Sequence, residues 1–551
     1  MAEAKKPLRV GLMLDGWTIP AWAHRMISMI VASDYAEVAL VLMNGKPPEK
    51  SGTDWSCALF RLYLRLERVA CAPKPNAFAP QDAQDLLAEV ETLTVTPIDL
   101  EGCDNLSGND LENVRTRNLD VLIQLGFRHP ATELRGTARY GVWALRHLDP
   151  ERMRGTYAGF REVFEHHPIT GSALQMLDEE TFNGPILARS WSATTRYSVL
   201  GNRNRVCWKS LSLIPRALRE MHRLGAEQFF ESVGADMARP LFYDRPWHEE
   251  PTNGEFLRLF IGHVCRSIRL ALRDALYRED WFLLYNMADG LSTVFHRYEG
   301  HHMPPRGRLY ADPHVVEEDG AYHVFYESTP CGKASGRIEC ITIDRNGRCG
   351  MPQTVLERDY HLAYPSIIHW NDTYYMIPDS GANQTVDIYR CERFPDQWAF
   401  HKSLMTDIRA VDPTLFEHGG RWWMFLGVIE HEGGSFSDEL FLYHADNPLS
   451  DRWTPHPMNP IVSDARKARP AGAVLHHEGH LYRLSQNCSH GYGYGINLHE
   501  ITSLTETAYT ERDVQSLEPH WDRHIAGLHT LAHAGDLTMI DAKTRRFRFL
   551  P

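Results

Sequence analysis

Five times between Arg308 and Asp541 the chain repeats one unit: a short motif, a run of apolar and β-branched residues, a turn, and an aromatic-rich strand. The motifs are Ala311-Asp312-Pro313, Tyr364-Pro365-Ser366, Val411-Asp412-Pro413, Arg469-Pro470-Ala471-Gly472 and Leu528-His529-Thr530. They recur at a period of roughly 50 to 60 residues, which is the signature of a β-propeller. The expected second strands occupy 321–327, 373–379, 421–427, 480–486 and 536–541. Propeller blades start their innermost strands beside a central channel. Asp312, Tyr364, Asp412, Arg469 and His529 are therefore expected to converge there.

Ahead of the repeats the pattern changes. Residues 8–14 form an apolar run, followed by Asp15-Gly16, a helical stretch at 21–32 and a second apolar run at 38–42. Strand, helix and strand with short turns predict a βαβ unit and a parallel sheet, with 119–127 as a further core strand. Ligands of such sheets sit at the carboxyl ends of strands, which singles out Asp15. No Gly-x-Gly-x-x-Gly is present, so nothing supports a dinucleotide. Residues 216–280 read as a helical bridge, with helices at 218–226 and 255–276 and Pro240, Pro246 and Pro251 between them. Arg258, Arg266, Arg269 and Arg273 on the second helix are assigned to a solvated face or to salt bridges. Residues 281–285 read as the first propeller strand, closing the ring against the last blade. The expected fold class is multidomain: an α/β parallel-sheet domain over 1–215, then an all-β five-bladed propeller over 281–551.

The composition narrows the functional classes. A chain of 551 residues exceeds what one core supports, and 43% hydrophobic with 23% charged residues is ordinary for globular domains. A formal charge of -13 without a long basic run argues against a nucleic-acid partner. The 29 His are scattered, with no His-Glu-x-x-His, so no metal site is evident. The ten Cys include no Cys-x-x-Cys, and Cys331, Cys340 and Cys349 fall in one blade, as expected for reduced thiols. No signal-peptide signature opens the chain and no window holds 18 uninterrupted apolar residues, so a cytoplasmic protein without a transmembrane segment is expected.

Three resemblances extend this reading. Residues 141–150, Arg154-Gly155, Thr170-Gly171-Ser172-Ala173-Leu174 and Asn183-Gly184-Pro185-Ile186-Leu187 look like the formyltransferase fold, over roughly residues 8 to 215. That family uses an Asn, a His and an Asp at positions that here hold Ala144, Arg146 and Phe182. Ala144 and Phe182 can neither stabilise an oxyanion nor carry a proton, so folate is not an expected cofactor. His147 and Asp149 offer a displaced pair, although a one-residue slip on a strand turns a side chain to the other face.

The propeller resembles the five-bladed glycosidases of family 43 and the levansucrases. The resemblance implies that Asp312 is a base or nucleophile, that Asp412 tunes it, and that His529 is the last-blade histidine. It departs at the acid. Where those enzymes carry Glu-Gly-Pro this chain has Arg469-Pro470-Ala471, and arginine does not release a proton near neutrality. Arginine instead suits phosphate or carboxylate, so an Asp-plus-Arg axis points to a sugar leaving as a phosphate. Glu327, Asp379, Glu430, Glu432 and Glu439 are the alternative acids, and Glu327 and Asp379 end equivalent second strands. The whole pattern, with Tyr375-Met376-Ile377-Pro378-Asp379-Ser380, Gln486-Asn487-Cys488-Ser489 and Tyr494-Gly495, is also similar to the amino-terminal propeller of glucosamine inositolphosphorylceramide transferases and to bacterial formyltransferase-propeller fusions. That resemblance implies glycans or glycolipids without handing over a catalytic site.

The leading expectation is glycosyl transfer or cleavage on a phosphorylated, nucleotide-linked or lipid-linked sugar. Its catalytic candidates are Asp312, Asp412, Glu327 and Asp379, and its substrate-binding candidates are Arg469, His529, Tyr364, Gln486 and Tyr494. Two alternatives stand beside it. One is a non-catalytic glycan-binding or scaffold protein, since Asp-Pro at a strand start is a common turn device. The other is acyl transfer to an amino sugar in the first domain, through Asp15, Arg146, His147 and Asp149.

Overall fold

The computed structural model describes residues 5–46, 55–71, 73–100, 103–127, 129–130, 132–148, 157–177, 184–237, 250–288, 290–291, 298–332 and 335–549. The chain forms two compact units, Met1–Cys265 and Arg266–Pro551, divided within the helix Asn253–Leu276.

The first unit is built on a seven-stranded sheet. Its strand order is Ile186–Ala193, Ile169–Met176, Val142–Arg146, Val121–Gln124, Leu8–Leu14, Ala36–Asn44 and Thr92–Val95. The last five run parallel and the first two are antiparallel. From Val10 to Leu14 the strand Leu8–Leu14 is apolar and buried because it is covered on both faces, as parallel strands are. Val10, Leu12 and Leu14 enter one core with the helix Ala21–Val31, while Met13 enters the other. The segment read as a bridge begins with two helices, Leu213–Leu224 and Ala226–Met237, that supply Ile214, Leu218, Met221 and Phe229 to the larger core.

The second unit is a five-bladed propeller. Four blades are four-stranded antiparallel sheets whose first strands are Arg308–Glu318, Ala363–Trp370, Ala410–His418 and Leu475–His477. The fifth joins the carboxyl-terminal strand Leu537–Phe547 to Tyr277–Met287, which precedes all the other blades in sequence. Eleven residue pairs from Tyr277–Phe547 to Met287–Leu537 zip these strands together without a bulge, so the ring is closed by backbone hydrogen bonds. The paired aromatics fill the space between blades. Trp422 and Tyr375 lie in the core shared by blades two and three, and Trp423 in the one between blades three and four. Among the described residues no helix is long and apolar enough to cross a membrane.

Candidate functional site

The recurrent motifs have a common backbone cause. In blades one, two and three the first two strands pair as far as Ala311, Ala363 and Val411, skip two residues, and resume at His314, Ser366 and Thr414. The skipped residues are Asp312-Pro313, Tyr364-Pro365 and Asp412-Pro413. Such bulges bend the strand and re-aim a side chain. Asp312, Tyr364 and Asp412 have φ of 53°, 44° and 54°, a left-handed backbone that bulky residues and residues before proline both avoid. Each costs on the order of 1–3 kcal/mol, which surrounding contacts must offset. The same strained turn in three blades is the strongest backbone mark of a functional centre in this unit.

Those contacts are on hand. Asp541, fully buried, accepts backbone N–H bonds from Asp312 at 3.0 Å, His529 at 2.9 Å and Thr530 at 2.9 Å. Thr530 Oγ1 donates to Asp312 Oδ1 at 2.7 Å. The His529 ring lies between two carboxylates, Nδ1 against Asp541 and Nε2 at 3.5 Å from Asp312. Burial opposes a charged ring there, but Asp541 and then Asp312 outweigh it, and the His529 pKa is raised. Asp312, His529 and Asp541 are close enough to gather round a cation, which the sequence did not reveal. Asp541 is nevertheless already satisfied by its donors, so the cluster holds together through its own hydrogen bonds.

Two more carboxyls adjoin this cluster. Glu327 pairs in register with Ala311 and Asp379 with Ala363, each beside a bulge. Burial first, and then neighbouring carboxylates, push Asp312 up to about 6, Asp379 to about 7 and Glu327 to about 8. For Glu327 the next cause is the Asp312 charge, and for Asp379 it is Asp412. Thr329 donates to Glu327, and the Gly381 N–H donates to Asp379 at 2.8 Å. All three carboxyls thus hold a proton more tightly than ordinary carboxyls do, Asp312 least and Glu327 most.

The structure assigns the remaining candidates different work. Arg469 was expected to hold a substrate anion, but it is spent on Asp412: Nε lies 2.6 Å from Oδ2 and Nη2 3.3 Å from Oδ1. Asp412 is 2% exposed, so the guanidinium neutralises a charge that would otherwise be stranded. Arg469→Ala is expected to cost about 3 kcal/mol of stability by leaving that charge unpaired, and adding Asp412→Asn should recover part of the loss. Urea unfolding of the single and double variants measures both.

Tyr364 ties blades together, its hydroxyl 2.8 Å from Thr414 Oγ1 and accepting the Gly472 N–H at 2.8 Å. Gln486 is buried and braces the Arg469-Pro470 turn, its side chain donating to the Pro470 carbonyl at 3.0 Å. Tyr494 engages Glu518 and His520 rather than the axial residues. The tyrosine at the axis is Tyr492, 5.0 Å from the His529 ring and 4.8 Å beneath the Arg469 guanidinium. Trp281 lies 4.2 Å from the His529 ring and 6.4 Å from the Tyr492 ring.

In the first unit Asp15 is an internal brace. It accepts from Asn44 Nδ2 at 2.9 Å and from the Phe127 N–H at 2.8 Å, joining loops at the ends of three strands. Arg146 is half-buried, with Nε 3.4 Å from Gln175 Oε1, and desolvation lowers its pKa. His147 is pushed down to about 4, by burial and then by Arg203 and Arg146, and its Nδ1 lies 3.1 Å from Ser210 Oγ. A ring this reluctant to take a proton is a poor base. Asp149, proposed as its partner, lies outside the described residues.

Residues 301–525 match the family profile described as glucosamine inositolphosphorylceramide transferase 1, N-terminal. The propeller is similar to the amino-terminal region of those transferases. The Oryza sativa subsp. japonica transferase is 29% identical over 204 residues, 36% of this chain and 27% of the relative. The Arabidopsis thaliana transferase is 28% identical over 207 residues, 37% of this chain and 27% of the relative. The match therefore spans 27% of the length of these curated relatives. Among solved structures, the catalytic domain of Coprinopsis cinerea GH62 α-L-arabinofuranosidase aligns at 13% identity and a TM-score of 0.34, covering 48% of this chain and 97% of that one. Glycinamide ribonucleotide transformylase 1 from Symbiobacterium toebii aligns at 12% identity and a TM-score of 0.27, covering 39% of this chain and 88% of that one.

Proposed function

We propose that the propeller axis carries out glycosyl transfer or glycosidic cleavage on a sugar linked to a phosphate, a nucleotide or a lipid. The observation that carries this reading is the split between two neighbouring carboxyls, Asp312 held to about 6 and Glu327 to about 8. Glycosidic chemistry needs one carboxylate and one carboxylic acid at the same pH, and environments that separate two pKa values assign those roles. Asp312 acts as base or nucleophile. Glu327 protonates the departing oxygen, taking the place left open by Arg469. Asp379 adjusts the local field, and the Asp412–Arg469 pair fixes the wall facing them. His529, clamped between Asp312 and Asp541, orients the base. The similarity to transferases named for an inositolphosphorylceramide acceptor supports a glycolipid as the substrate class.

The pH dependence follows from the same pair. Activity is expected to fall below about pH 6 as Asp312 takes a proton, and above about pH 8 as Glu327 loses one. Turnover of a panel of nucleotide sugars, sugar phosphates, inositol-phosphate glycolipids and neutral oligosaccharides tests the reading. A substrate whose kcat/KM profile is bell-shaped between those limits, with the alkaline limb removed in Glu327→Gln, supports it. Binding of glycans without turnover of any member would favour a lectin-like role instead.

A further inference from the structure

The proposed chemistry creates an electrostatic problem. The axial arginine, Arg469, is committed to Asp412, which leaves Asp312 and Asp379 without a guanidinium of their own. A substrate phosphate would be repelled there, so it needs cations elsewhere.

Such cations line a neighbouring cavity of about 400 Å³, within the range that small-molecule ligands occupy. Its wall includes Arg278, Trp281, Arg306, Arg308, Arg546 and Phe547. Against four guanidinium groups the lining has one carboxylate, Asp280, which is buried and shared by Arg278 at 3.1 Å and Arg546 at 3.5 Å. Arg308 is held in place, Nε donating to Ser328 Oγ at 2.8 Å and Nη2 to the Ser328 carbonyl at 3.0 Å, with Glu339 3.8 Å away. Arg306, exposed at the mouth, has no hydrogen-bond partner among the described residues. The cavity therefore keeps an excess of positive charge in a geometry suited to bidentate oxyanion contacts. Trp281 is common to both places: it lines this cavity, and its ring is 4.2 Å from that of His529. Trp281 and Phe547 add apolar surface to the lining.

We propose that this cavity binds the phosphate ester of the substrate, so that the phosphate rests among the arginines while the sugar extends past Trp281 toward Asp312. This rests on the axial reading only for the direction in which the sugar points. Calorimetric titration of the full chain tests it, with myo-inositol 1-phosphate, glucose 1-phosphate, inorganic phosphate and neutral myo-inositol as probes. The esters are expected to bind at least about tenfold more tightly than myo-inositol, and binding should weaken with added salt. Arg306→Ala and Arg546→Ala are each expected to weaken ester binding about tenfold or more, with thermal unfolding close to that of the parent chain. Asp312→Asn should bind the esters undiminished, which separates this site from the chemistry at the axis. Equal binding of ester and neutral inositol, unaltered affinity in both arginine variants, or inorganic phosphate binding as tightly as the esters would overturn the proposal.

Discussion

Asp312→Asn is expected to lower turnover by about a thousandfold or more while leaving the fold intact. The asparagine carbonyl can still accept the Thr530 hydroxyl, and the backbone N–H at 312 still meets Asp541. What disappears is the negative charge that serves as base and, after burial, does most to hold the Glu327 proton. The residual activity should therefore carry an alkaline limb shifted below about pH 8. Stability gives a second readout. The Glu327 pKa is raised on folding, so the folded state binds more protons than the unfolded chain between the ordinary value of 4.5 and about 8, and stability declines as pH rises through that window. Asp312→Asn should soften that decline. Full turnover in this variant would remove the axis from the chemistry.

Asp541→Ala is expected to be the most destabilising single change in the propeller, by about 4 kcal/mol or more. It strands the buried N–H groups of Asp312, His529 and Thr530, and it deprives the His529 ring of its closest carboxylate. The loss should depend on pH. Because the His529 pKa is raised on folding, its contribution is fully present below the ordinary value of 6.5 and disappears as pH rises through the raised one. The deficit should therefore be larger at pH 5.5 than at pH 9. Urea unfolding at the two pH values measures both. A loss under 1 kcal/mol would mean that the strained turn at Asp312 is held by other contacts.

Much of this was legible in advance, for identifiable reasons. The five repeats and the ring-closing strand follow from alternation and spacing alone, because a propeller blade is a local unit. Asp312, Asp412 and His529 could be placed at the axis because each starts a repeat. Asp541 escaped notice although it ends the fifth second strand, in the column already occupied by Glu327 and Asp379. Aligning all five columns would have found it. The Arg469–Asp412 pair could not be read from sequence, since it joins separate blades that meet only once the ring has formed. Sequence reading reaches Tyr494 but not Tyr492, because the backbone of the loop between them, and no motif, brings Tyr492 to the axis. Gly493 has φ of 64° and lies against the Trp281 ring, where a Cβ would come within 2.5 Å of it. The left-handed turns were hidden for a related reason, as residues before proline normally read as extended.

The closing strand also sets a schedule for synthesis. Tyr277–Met287 leaves the ribosome before every other strand of the propeller, yet its partner Leu537–Phe547 comes after all of them, and Arg548 reaches back to the Tyr277 carbonyl across 271 positions. Until then the nascent chain carries an unsealed edge bearing Phe282, Leu283 and Leu284, which could pair with a neighbouring polypeptide. Recombinant yield should therefore depend on slow translation and on chaperones that shield that edge.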